Sequence, residues 1–180
     1  PLGIYTPVGS AQWRSYIDSS DNDGGCTGVL FYEQNSVSML YTGKIDLSPL
    51  SRPYFTFYTY YGSSEPIANE NIVDVKVRVV DTDEWTSLMR KVADEITGTN
   101  PGWKRVAVDL SAYAGKCVQL GIEVTQVNFS GCAFDRLSVS DIADSDISVG
   151  YLYTTPEVMV GEDINCLFSV SNSGLNAANG

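Results

Sequence analysis

Residues 54–60 read Tyr-Phe-Thr-Phe-Tyr-Thr-Tyr, so the two Phe fall on one side of an extended chain while Tyr54, Thr56, Tyr58 and Tyr60 fall on the other. Aromatic and β-branched residues favour a pleated, half-buried surface. The same period of two recurs along the chain. Val75, Val77 and Val79 alternate with Lys76 and Arg78, Val106, Val108 and Leu110 form a third run, and Val118, Leu120, Ile122 and Val124 alternate with Gln119, Glu123 and Thr125. Each run has one face to cover and one to wet, as antiparallel sheets do, and Gly, Pro, Asn, Asp and Ser clusters separate them. The pattern predicts an all-β fold of packed antiparallel sheets. One stretch competes with it. Asp83 is a possible N-cap, and Trp85, Leu88, Met89, Val92 and Ile96 have helical spacing. Strand patterns on both sides and the break Thr-Gly-Thr-Asn-Pro-Gly at 97–102 favour a short strand over Trp85 to Met89, followed by a loop or a helical turn.

With 180 residues, 43% hydrophobic and 18% charged, the chain is expected to build one full-sized core with room for a small second unit. After Val139 the composition shifts to the polar, acidic Ser140–Asp146 stretch, which reads as a linker. Beyond it, Ile147 to Tyr153, Val158 to Val160 and the alternating Ile164, Cys166, Phe168 and Val170 read as strands too few to bury a core alone. The expected organisation is a sandwich over 1–143 and an incomplete β module over 144–180.

Eleven Lys and Arg stand against 22 Asp and Glu, a net charge of −11 that repels phosphate backbones and anionic headgroups. Nucleic acid is therefore not an expected partner. No apolar run approaches the roughly 18 residues of a membrane helix, so membrane insertion is not expected either. Pro1-Leu2-Gly3-Ile4 lacks the regions of a signal peptide, and the chain reads as a piece of a larger exported protein. There is no histidine, which removes Ser/His/Asp and Cys/His nucleophilic machinery and every zinc site that needs imidazole. Paired carboxylates remain open to glycoside hydrolysis, and Glu33, Glu65, Glu70, Glu123 and Asp109 are candidates. Nothing in their spacing singles out a pair, so the chain is expected to be non-catalytic. Cys26, Cys117, Cys132 and Cys166 lack Cys-x-x-Cys spacing and are expected as free thiols rather than a bridge.

Two features point to a cation. Asp18-Ser-Ser-Asp21-Asn-Asp23-Gly-Gly packs oxygen donors into a bent loop, the arrangement Ca²⁺ wants for ligands at about 2.3 to 2.6 Å. It is not an EF-hand, because Leu30 stands where the bidentate Glu belongs. Asp135 has the parity of Leu137 and Val139, which turns a carboxylate toward the side they bury and calls for a compensating partner. A structural Ca²⁺ bound by Asp18, Asp21, Asp23 and Asp135 meets both, with a plain acidic surface turn and a cluster of backbone N–H donors around Asp135 as the alternatives. The tyrosines Tyr54, Tyr58 and Tyr60 are the candidate ligand-binding surface, through stacking on sugars or a protein partner, with sheet packing as the alternative. Asn128-Phe129-Ser130 matches a glycosylation acceptor, a tripeptide common by chance.

Taken in order, these motifs resemble the MAM-like jelly-roll modules of bacterial surface proteins, the group that includes the cleaved-adhesin domains of gingipain-type proteases and the choice-of-anchor J-like modules. The resemblance runs over about residues 10 to 141. Its carriers are Trp13, the acidic 18–24 loop, Tyr41-Thr-Gly-Lys-Ile-Asp-Leu-Ser48, Pro53 to Tyr58, Val75 to Val79 leading to Trp85, Trp103 to Lys116, and Ala133-Phe-Asp-Arg-Leu-Ser-Val139. It implies a two-sheet jelly roll, a calcium near Asp135, and adhesion or targeting rather than catalysis. The loop departs from the family's pattern, which has a following aromatic, and that leaves its individual ligands open. The tail resembles the opening of Ig-like modules of the CARDB type. The resulting expectation is a secreted or cell-surface adhesion or binding module whose partners are a host protein or glycan and the adjoining domains of its parent. A carbohydrate-binding accessory domain of a hydrolase and a ligand-free spacer are the alternatives.

Overall fold

A computed structural model of the chain describes residues 2–16, 26–30, 35–61, 70–98, 102–127, 131–144, 146–154, 166–172 and 174–175. They fall into two compact units, Pro1–Ser140 and Asp141–Gly180. The first unit begins with β1 (Leu2–Val8), β2 (Trp13–Tyr16), β3 (Cys26–Leu30), β4 (Val37–Thr42) and the short β5 (Ile45–Asp46). It continues with β6 (Pro53–Tyr61), β7 (Ile72–Val79), β8 (Thr86–Val92), the one-turn helix α1 (Ala93–Thr97) and β9 (Gly102–Asp109). A 3₁₀ turn at Ser111–Tyr113 leads to β10 (Cys117–Thr125) and β11 (Cys132–Asp141).

Two sheets result. Sheet A has the order β1-β4-β10-β7-β8, with β5 also paired to β10, and sheet B has the order β2-β3-β11-β6-β9. Apart from the β2–β3 and β7–β8 neighbours, adjacent strands are distant in sequence, because the chain repeatedly passes from one sheet to the other, as in a jelly roll. The pairings of β4 with β1 and β10, of β7 with β8 and β10, and of β6 with β9 are antiparallel.

The alternation read from the sequence decides which face is covered. Val73, Val75 and Val77 of β7 sit in register beside Val124, Ile122 and Leu120 of β10, and all six are at most 1% exposed. Sheet B answers with Phe55, Phe57 and Phe134, while Tyr54, Tyr58 and Tyr60 are only half-buried. Ring centroids lie 5.3 Å apart for Phe55 and Phe57 and 5.9 Å for both Phe57–Phe134 and Trp13–Phe134, which makes a continuous aromatic core. The Trp13 indole N–H is satisfied across the core, donating to Ser38 Oγ at 2.8 Å.

One tripeptide, Asp-Leu-Ser, occurs at 46–48 and 109–111, leaving the end of β5 in sheet A and of β9 in sheet B. In each copy the Leu is fully buried and the Asp accepts the backbone N–H two residues on, at 2.9 Å from Ser48 and 2.7 Å from Ser111. The carboxylate locks the turn that drives the leucine into the core.

Around Trp85 the strand wins. β8 pairs with β7 from Thr86 to Val92, and only then does the chain make the single helical turn α1. Asp135 is buried, at 6% exposure. Phe134 and Leu137 both join the core, three residues apart, because Arg136 between them adopts φ +51° and slips the alternation by one residue. Cys117 and Cys132 are free thiols, Cys132 buried.

In the second unit, β12 (Ile147–Thr154) and β13 (Cys166–Asn172) form an antiparallel pair with an irregularity between Val149 and Leu152. The expected strand at Val158 to Val160 lies outside the described residues. Among the described residues no helix is long and apolar enough to cross a membrane.

A candidate ligand groove on sheet A

The outer face of sheet A is built from the residues that alternate with its core valines. Register places Tyr5 beside Met39 and Met39 beside Glu123, and the next row along runs Gly3, Tyr41, Gly121, Lys76. Gln119 and Arg78 pair in the row beyond. The turn from β7 into β8 then brings Trp85 back over this face. Its ring meets Tyr41 edge to face at 6.2 Å, and the Arg78 guanidinium lies 4.8 Å from its centroid. Arg78 also donates to Gln119 Oε1 at 2.6 Å, and Gln119 in turn donates to the Thr42 carbonyl at 3.0 Å, so the cation is held from two sides.

Tyr5, Met39, Tyr41, Arg78, Asp83 and Trp85 line an open groove of about 310 Å³. A second, more polar hollow of about 270 Å³ adjoins it, sharing Arg78 and Asp83 and adding Lys44, Asp81, Thr82 and Gln119. Apolar rings at one end and convergent donors and acceptors at the other are the composition of a small-molecule site. Beside the groove the same face carries a closed ionic network. Lys76 Nζ reaches Glu123 at 2.6 Å and Asp74 at 3.8 Å, and Asp74 also accepts from Arg90 at 3.1 Å and Ser87 at 2.6 Å. These charges are mutually satisfied and form the rim.

The residues singled out in the sequence are distributed differently. Tyr54, Tyr58 and Tyr60 lie on the outer face of sheet B, where Arg136 sits 5.6 Å over the Tyr58 ring and Trp103 packs 5.2 Å from Tyr60. Tyr58 and Tyr60 are thus engaged with neighbouring side chains. Asp18, Asp21 and Asp23 are outside the described residues, as are Glu33, Glu65 and the Asn128 tripeptide. Of the remaining carboxylates, Glu123 is in the sheet A network, Glu70 is exposed and Asp109 ends a strand of sheet B. The Ser111 hydroxyl and then its backbone N–H hold Asp109 below the usual carboxylate range, which suits a turn lock and not a proton donor. Glu123 and Asp109 thus lie in different sheets.

Sequence reasoning missed Tyr5, Met39, Tyr41, Arg78 and Trp85. The signal that was there is Trp85, an aromatic standing directly after the acidic turn Asp81-Thr-Asp-Glu84. Its spacing also fits a helical stripe, and its partners Tyr5, Tyr41 and Arg78 come from β1, β4 and β7.

No protein-family profile matches the chain, and no curated protein matches it. Solved structures do. The K1 cleaved-adhesin domain of Lys-gingipain from Porphyromonas gingivalis W83 superposes with a TM-score of 0.58 at 13% identity, over 77% of this chain and 89% of that one. A carbohydrate-binding module of the β-sandwich superfamily, described for promiscuous specificity, gives 0.55 at 13% identity over 78% of this chain and 57% of that one. The module TmCBM61, solved with β-1,4-galactotriose, gives 0.51 at 10% identity over 77% and 87%. The chain thus spans little more than half the length of the second of these. At such identities the likeness is one of fold, an antiparallel β-sandwich shared by adhesin and carbohydrate-binding domains.

Proposed function

We propose that the first unit is a non-catalytic glycan-binding module of a modular extracellular protein, with the sheet A groove as its ligand site. The observation that carries this reading is the edge-to-face pair of Tyr41 and Trp85, opened to solvent by the groove and flanked by Arg78 and Asp83. A pyranose has an apolar face that covers aromatic carbon and a rim of hydroxyls that bond charged and amide groups, and this groove offers both. Arg78 and Lys44 are offset by Asp81 and Asp83, so neutral sugars fit it better than uronates. The cleaved-adhesin and carbohydrate-binding neighbours support the reading through the fold they share.

The test is an oligosaccharide array of neutral and acidic glycans, followed by titration of each hit with the wild type, Trp85→Ala and Tyr58→Ala. Trp85→Ala is expected to weaken binding at least ten-fold, the scale of losing an aromatic anchor, while Tyr58→Ala leaves it unchanged. Binding lost with Tyr58→Ala and kept with Trp85→Ala would move the site to sheet B.

A structural Ca²⁺ is a second part of the proposal. It rests on the jelly-roll resemblance and on the burial of Asp135, an oxygen donor on β11 at 6% exposure. Asp18, Asp21 and Asp23 would complete the ligand set, and the ion would brace the sandwich without taking part in glycan contact.

A further inference from the structure

Tyr41 has a glycine on each side, since the register of sheet A sets it between Gly3 of β1 and Gly121 of β10. Neither glycine has a positive φ, so backbone conformation does not ask for glycine at either place. Space does. A Cβ on Gly3 would stand 2.6 Å from the Tyr41 hydroxyl oxygen and 2.7 Å from Cε2, inside the ring's van der Waals envelope. A Cβ on Gly121 would meet Met39 Sδ at 2.6 Å and Trp85 Cζ3 at 3.3 Å. Glycine within a strand weakens it and marks a place where another group must come close to the backbone. Here the groups that come close are the rings and the thioether of the groove, lying against the sheet.

We propose that Gly3 and Gly121 are the positioning residues of the groove. They set the depth at which Tyr41 and Trp85 present their rings, and so make room for the flat face of one sugar ring. The inference rests on the glycan reading above and adds to it that the edge strand β1, through Gly3 and the exposed Tyr5, is part of the site. At Gly3 the obstructing atoms are the far end of the Tyr41 side chain, so a methyl group there displaces the ring outward into the groove while the core stays intact.

The probes are β-1,4-galactotriose, cellotetraose, xylotetraose and mannotetraose, titrated by tryptophan fluorescence and calorimetry. For whichever binds the wild type best, Gly3→Ala is expected to weaken binding about ten-fold, roughly 1.4 kcal/mol, with the melting temperature moved by no more than a few degrees. In a Tyr41→Ala background the same change should cost nothing further, because the ring it acts through is gone. Gly121→Ala is the second variant and should weaken binding in the same way. Affinity that survives Gly3→Ala and Gly121→Ala, or a loss that persists undiminished without Tyr41, would overturn the inference and leave the glycan reading standing. Absence of binding by the wild type to every probe would overturn both.

Discussion

At the scale of single residues, two carboxylates and one hydroxyl do more than their exposure suggests. Asp46 is held below the usual carboxylate range by the Ser48 backbone N–H and then its hydroxyl, and Asp109 by the Ser111 hydroxyl and then its backbone N–H. A depressed native pKa means that ionisation favours the folded state. The contribution is present above the unfolded value, near 4, and is lost as pH falls through the lower native value. Melting temperature followed from about pH 5 down to pH 2 should fall, and the double variant Asp46→Asn/Asp109→Asn should fall less steeply. Equal slopes would mean that these turns do not couple to folding. Ser38 is the third case. Its hydroxyl takes the Trp13 indole N–H at 2.8 Å and meets Thr6 Oγ1 at 2.7 Å, so Ser38→Ala leaves a buried donor without its acceptor. Urea denaturation should show a loss of about 1–3 kcal/mol, and a change below about 0.5 kcal/mol would show that another acceptor takes over. Asp135 marks the limit of residue-level reading. Its burial was legible from its parity with Leu137 and Val139, whereas the positive φ at Arg136, which interrupts the strand between them, had no signal in the sequence pattern.

Elements were legible where one face of a strand is fully covered. The runs at 54–60, 75–79 and 118–124, and the 106–110 run as far as Asp109, became strands with the expected side inward, because a period of two survives any tertiary arrangement that buries one face. The stripe from Trp85 to Ile96 was ambiguous for the opposite reason. Its apolar residues serve three purposes, with Trp85 on the outer face, Leu88 and Met89 against the core and Ile96 on the helical turn that follows. The groove itself could not be read from spacing, since Tyr5, Tyr41, Arg78 and Trp85 become neighbours only through the order β1-β4-β10-β7-β8. The central position of β10 in that order has a measurable consequence. It pairs with β4, β5 and β7, and its inward residues are at most 1% exposed. Leu120→Ala should therefore cost about 2–5 kcal/mol by denaturant titration. A loss under about 1 kcal/mol would mean the two sheets close over the gap.

For the whole molecule, the two-unit division and the closed core of the first unit lead to the expectation that a chain ending at Ala143 folds alone. Its calorimetric melt should show a single transition and its glycan binding should equal that of the full chain, whereas aggregation or lost affinity would make the second unit part of the working module. The proposed Ca²⁺ belongs to this scale too. Calcium at about 100 times its dissociation constant should raise stability by roughly 2.7 kcal/mol over the chain in EGTA, and coincident melts would remove the ion from the account. The central claim is that sheet A, and not the tyrosine-rich sheet B, meets the sugar. Amide chemical shifts of the ¹⁵N-labelled protein, recorded while the best-binding oligosaccharide is titrated in, read that choice residue by residue. The account expects the perturbed amides to cluster at Gly3, Tyr41, Arg78, Trp85 and Gly121, and a cluster at Tyr54, Tyr58, Tyr60 and Trp103 instead would contradict it.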